Sequence, residues 1–221
     1  MAKTKTEETG NGADAPAASE QAEQGIRLQR IEQRTLIIEI RGVSPLIVHR
    51  FSEKAKAKML EAQTTRTRAR KEPKVPEEDY HAARYIMPGG SREAGPDGFP
   101  AVGFKAAMVG AGRLFDGVTM TSLKQALFVR GDGPDQLVLI DGEPEMFESP
   151  VRVGQGTADL RFRPIYDPWK ATLTIDYLPL MLDEQSVVAL VDAAGLGGVG
   201  EWRPSAPKSA TGSYGRFEVV G

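Results

Sequence analysis

Apolar and polar residues first alternate at residues 35–42 (TLIIEIRG), where Leu36, Ile38 and Ile40 fall on one side of an extended chain and predict a strand. SPLIVHRF then leads away from it. Ser52 is suited to cap a short helix reaching about Gln63. In FPAVGFKAAMVGAGRLF, Phe104, Met108, Ala111 and Phe115 recur at helical spacing, and Ala106, Ala107, Gly110 and Gly112 would let that helix lie close on a sheet. Each glycine costs helix propensity, about 1 kcal/mol against alanine, so close packing or function must compensate.

Two clear strand patterns follow. ADLRFRPI sets Leu160 and Phe162 against Asp159, Arg161 and Arg163, and KATLTIDY sets Ala171, Leu173, Ile175 and Tyr177 against Thr172, Thr174 and Asp176. The intervening YDPW reads as a turn, which predicts an antiparallel hairpin. Asp183 is an N-cap for a helix whose inner face carries Val187, Val188, Val191 and Ala194, with Gly195 as its stop. A glycine-rich stretch then leads into a closing strand, YGRFEVV. The order strand, helix, strand, strand, helix, strand is that of an α+β, ferredoxin-like (βαββαβ) domain: an antiparallel sheet with helices on one face.

Residues 1–30 are expected to be a disordered acidic tail, since they are rich in Ala, Glu, Gly, Thr and Gln and cannot bury enough apolar area to offset ordering. Residues 31–221 would form one domain, with a flexible basic insertion at about 64–78. The chain has no cysteine and two histidines, which excludes disulfides, thiolate metal sites, a cysteine nucleophile and a histidine-rich metal site. No cofactor fingerprint, P-loop or nucleophile elbow is present, so the expectation is a non-enzymatic protein without cofactor or metal. No segment reads as a secretory signal or a membrane span, and the expected compartment is the cytoplasm of a bacterial host cell.

Net charge is −2 over the whole chain, but its distribution is uneven. From Arg50 to Lys74, nine Lys/Arg face three Glu. This is a basic patch on a near-neutral protein, and basic patches are the electrostatic footprint of nucleic-acid binding. Arg50, Lys54, Lys58, Arg66, Arg68 and Arg70 are candidates for a finger that clamps a strand. Arg152, Arg161 and Arg163 would make a phosphate track on the sheet face opposite the core. Lys105 and Arg113 bracket the small-residue helix, and Lys105 opposes the helix dipole, as an anion partner would allow. In the loop, Gly195, Gly197, Gly198, Gly200, Gly212 and Gly215 would bring main-chain N–H groups against phosphates, with Arg203, Lys208 and Arg216 adding charge and Trp202 a stacking plane for a base. His49 has no paired acid or base in the sequence and reads as structural.

Two of these segments carry a family resemblance. GFPAVGFKAAMVGAGR resembles the segment opening the first helix, and GVGEWRPSAPKSATGSYGRFEV the glycine-rich loop before the last strand, of the RAMP superfamily, the ferredoxin-like subunits of CRISPR effector complexes. Their order, with the opening strand and SPLIVH, matches over roughly residues 34–221. The stretch from RFRPIYDPW to GEWRP is also similar to proteins encoded by bacteriophages and prophages. The family's serine pair is missing from Pro100-Ala101-Val102-Gly103-Phe104-Lys105, where only Pro100, Lys105 and the small-residue helix correspond, and the last loop is longer, with Pro204 and Pro207 inside it. The resemblance implies a RAMP-like fold with insertions, a single-stranded DNA or RNA partner, and self-association along the strand; neither a membrane nor a small-molecule substrate is implied. The alternatives are a phage structural or assembly protein without nucleic-acid contact, and a metal-independent ribonuclease using His49.

Overall fold

The computed structural model describes residues 28–51, 53–64, 73–153, 157–207 and 212–221. Contacts divide the chain into two units, Met1–Ile31 and Glu32–Gly221. The expected tail falls almost wholly outside the described residues, as do the Ser52 cap and the core of the basic insertion. In chain order, the second unit contains β1 (Arg34–Gly42), β2 (Leu46–Ile47), α1 (Glu53–Thr64), α2 (Pro76–Ala83), β3 (Ile86–Ser91), β4 (Gly95–Pro100), α3 (Ala101–Ala111), α4 (Met120–Ala126), β5 (Leu127–Val129), β6 (Leu137–Leu139), β7 (Pro144–Val153), β8 (Thr157–Tyr166), β9 (Lys170–Tyr177), α5 (Glu184–Gly197) and β10 (Phe217–Val219).

The central sheet has the order β10-β1-β9-β5, and every pairing in it is antiparallel. With α3 crossing from β1 towards β5 and α5 from β9 towards β10, the six elements make the ferredoxin-like βαββαβ unit. Alternation decides what the sheet buries. Ile38 and Ile40 of β1, with Ala171, Leu173, Ile175 and Tyr177 of β9, join Phe104 and Met108 of α3 and Val187, Leu190, Val191 and Ala194 of α5 in one core. The opposite face is open, and Ile37 there is 67% exposed. Both helices therefore lie on one face, as the pattern predicts.

The second strand of the unit is not the expected one. Residues 158–165 belong to β8, which pairs along its whole length with β7 and at its end with β2, in a separate sheet. β9 has no edge left for β8, since β1 holds one side and β5 the other. The predicted hairpin is thus replaced by a chain that leaves one sheet and enters another. Trp169 anchors the change: it is buried, and its indole N–H donates to Ser44 O at 2.9 Å.

A third sheet, β3-β4-β6, lies within the same excursion between β1 and β9. The pieces are joined by a buried polar network. Arg84, just past α2, grips Asp97 of β4 through two bonds of 2.9 and 2.7 Å, and the Tyr166 hydroxyl of β8 donates to the same carboxylate. Burial and that hydrogen bond raise the Tyr166 pKa well above its ordinary value, so the phenol stays protonated and remains a donor.

α5 begins where expected, with Asp183 Oδ1 accepting from Ser186 N at 2.7 Å, but it runs past Gly195 and closes at Gly198, whose φ is +68°. Gly195 is inside the helix for a packing reason: β10 crosses there, and a Cβ would collide with Phe217 O.

Candidate nucleic-acid interface

α3 and α5 pack side by side, and the chain after α5 folds back along them to leave a cleft of about 820 Å³. Gly103, Ala106, Ala107 and Gly110 of α3 give it a wall with little side-chain cover. The residues after Gly197 form the other wall, with Glu201, Arg203 and Pro204, while His49, Tyr85 and Arg113 also line it.

The wall after Gly197 is held by main-chain bonds. Val199 N donates to Gly215 O at 2.9 Å, Gly215 N to Pro45 O at 2.8 Å, Glu201 N to Ile47 O at 2.8 Å, and Gly198 N to Ala194 O at 2.9 Å. The glycines serve this zipper. Gly200 has φ +77° and Gly215 φ +67°, and a Cβ on Gly215 would strike Val199 O. These N–H groups face chain carbonyls, so they do not form the phosphate cradle expected from the glycine pattern.

Next to this wall is a charged cluster. Arg161 Nη1 donates to His49 Nδ1 at 3.4 Å. Because arginine can only donate, Nδ1 is the unprotonated nitrogen and Nε2 carries the hydrogen. Glu201 Oε1 lies 4.0 Å from His49 Nδ1, and Glu201 Oε2 accepts from Arg163 Nη1 at 3.2 Å. Burial, then Arg161, pulls the His49 pKa down; Glu201 opposes them, while Arg163 and Lys74 add to the lowering. The ring is thus held neutral at physiological pH, with burial and the three cations outweighing Glu201. Lys74 is fixed by Asp159 at 2.9 Å and by Leu160 O, which anchors the end of the basic excursion to β8.

Arg163 corrects the expected track. Arg161 and Arg163 share a side of β8 as read, but Glu201 and Trp202 close over Arg163, while Arg161 stays partly exposed. Arg163 is completely buried, donating to Ser149 Oγ at 2.5 Å and to Glu201, with its guanidinium 4.8 Å from the Trp202 ring centre. Its Nε has no partner. Burial lowers its pKa, against the pull of Glu201. Trp202 is likewise committed: Phe147 at 5.9 Å and Tyr214 at 5.8 Å meet it edge-on, and its φ is +53°. Arg163 and Trp202 together brace the cleft wall, and the partly buried Trp202 ring is engaged by Phe147, Tyr214 and Arg163.

The remaining candidates divide. Arg113 and Arg203 line the cleft, and Arg161 reaches it through His49. Arg203 Nη1 also donates to Gly200 O at 2.8 Å. Lys105 is elsewhere, 4.4 Å over the Phe128 ring, so its charge is balanced by an aromatic face and not by an anion. Arg216 is exposed, and its main chain bonds Val43, Ser44 and the Ser44 hydroxyl. Arg50 lies 4.0 Å from Asp135. Arg66, Arg68, Arg70 and Lys208 are outside the described residues, and so are the side chains of Lys54, Lys58 and Arg152. Glu201 and Tyr85 were not anticipated. An acid between glycines and Trp202 is the one local signal for Glu201; nothing local marks Tyr85.

No family model matches the chain, and no curated protein matches it. Among solved structures, the chain is similar to Cmr6 from Pyrococcus furiosus, at 8% identity and a TM-score of 0.38, over 86% of this chain and 100% of that one. It is also similar to a Cas6 product complex, at 15% identity and a TM-score of 0.27, over 84% of this chain and 51% of that one. The ferredoxin-like assignment rests on the strand order and the two crossover helices.

Proposed function

We propose that the protein binds single-stranded nucleic acid, DNA or RNA, along the α3–α5 cleft and does not cleave it. One observation carries this: cationic side chains from distant segments, Arg113 and Arg203, line one cleft with the neutral His49, and Arg161 stands against that ring. Cations on a shared surface can neutralise successive phosphates and release counterions. A narrow wall of glycine and alanine lets a thin, flat chain approach where a duplex would not enter.

The test is fluorescence polarisation with single- and double-stranded oligonucleotides at about 50 and 200 mM salt. Single-strand binding should weaken steeply with salt, by about 0.7 in the logarithmic slope for each neutralised phosphate. Changing Arg113, Arg161 and Arg203 together to glutamine should lower that slope by about 2. Absence of binding at low salt, or a slope unaffected by the triple change, would refute the proposal. Salt-insensitive oligomers free of nucleic acid would favour a structural or assembly role.

Strand cleavage is the second reading, favoured by the neutral His49 beside Glu201 and Arg161. It requires product formation without added metal, abolished by His49→Ala.

A further inference from the structure

Glu201 is gripped through one carboxylate oxygen. Oε2 accepts from the buried Arg163, while Oε1 stands 4.0 Å from His49 Nδ1, too far for a hydrogen bond. The side chain is kept in place, since its own N–H is tied to Ile47 O and Arg163 is held by Ser149 and Trp202. Oε1 is therefore a fixed acceptor on the cleft wall. His49, on the same wall, accepts from Arg161 at Nδ1 and offers Nε2–H as its ring donor. The Glu201 carboxylate and the neutral His49 ring thus line the same cleft, whose other wall carries only the small residues Gly103, Ala106, Ala107 and Gly110.

We propose that this cleft takes a guanine base of the bound strand, with N1–H donating to Glu201 Oε1, N2–H to the second lone pair of Oε2 beside Arg163, O6 accepting from His49, and Arg113 and Arg203 on the flanking phosphates. The inference rests on the strand-binding reading above. Guanine is the base with two adjacent donors next to an acceptor on its pairing edge. Adenine N1 and cytosine N3 would set a lone pair against the carboxylate, and uracil or thymine flanks its one N–H with two carbonyl oxygens. A site built around paired hydrogen bonds rejects partners that leave them unmade.

The experiment uses the full chain and labelled oligothymidine strands in which one central position is G, A or C. The G strand should bind about tenfold tighter than the A or C strand, the discrimination typical of a well-formed two-bond contact. Glu201→Gln, which replaces one carboxylate oxygen by a donor, should collapse the G-to-A ratio towards one. Because Glu201 also pairs with a buried arginine, Ala106→Leu provides a second variant: Ala106 is exposed on α3, leucine is a good helix former, and its bulk should also abolish the ratio. Equal affinities of the wild-type chain for G, A and C strands would overturn the guanine subsite and leave strand binding standing. Failure of every strand to bind would remove both.

Discussion

His49 shows how one residue's environment sets a measurable pH response. Its folded pKa lies below the ordinary value of about 6.5, chiefly through burial and then Arg161. Above that value the ring is neutral in both folded and unfolded chains and contributes nothing to the pH dependence. As pH falls through it, the unfolded chain takes up the proton first, so stability declines until the folded pKa is passed. Urea unfolding of wild type and His49→Gln between pH 7.5 and 5 should give a flatter profile for the variant; parallel profiles would contradict the assignment. The sequence showed that β8 alternates, and hence that Arg161 and Arg163 share a side. It could not show that Glu201 and Trp202, some forty residues later in the chain, would close over Arg163 alone, which is why two similar arginines differ in exposure.

At the scale of elements, legibility followed periodicity. β1, β9, α3 and α5 bury most of the residues their spacing selects, because each packs an apolar face on the same core, with Leu36 and Val188 only partly covered and Phe115 beyond the end of α3. β5 is three residues long and follows α4 without a break, so no period could develop. The β8–β9 hairpin failed because adjacency in sequence is only a prior for pairing, and β1 and β5 occupy both edges of β9. The loop after α5 was correctly read as glycine-dependent, but for a different reason: its glycines let strands of main chain touch. Gly215→Ala tests this. With φ at +67° and Val199 O in the way, the substitution should cost about 2 kcal/mol or more in urea unfolding, whereas an open phosphate-binding glycine would lose affinity with little loss of stability.

For the molecule as a whole, the question is how three sheets behave as one body. The Arg84–Asp97–Tyr166 network joins the end of α2 to two of them, and both charged partners are nearly inaccessible. Removing one charge strands the other. Arg84→Met should therefore destabilise by about 3–5 kcal/mol and lower the melting temperature accordingly; a loss below about 1 kcal/mol would mean that the pair is dispensable. Sequence could not indicate this network, since Arg84 and Asp97 carry no periodic signal and Tyr166 lies far along the chain.

The cleft takes its walls from residue 49, from residue 85, from α3 and α4, and from the chain beyond α5. No local piece of the polypeptide can assemble it, so the binding surface exists only when the whole tertiary structure does. An occupant would therefore act as a global clamp, shifting the equilibrium between native and denatured chains by RT ln(1 + [L]/Kd) without protecting any single helix or strand.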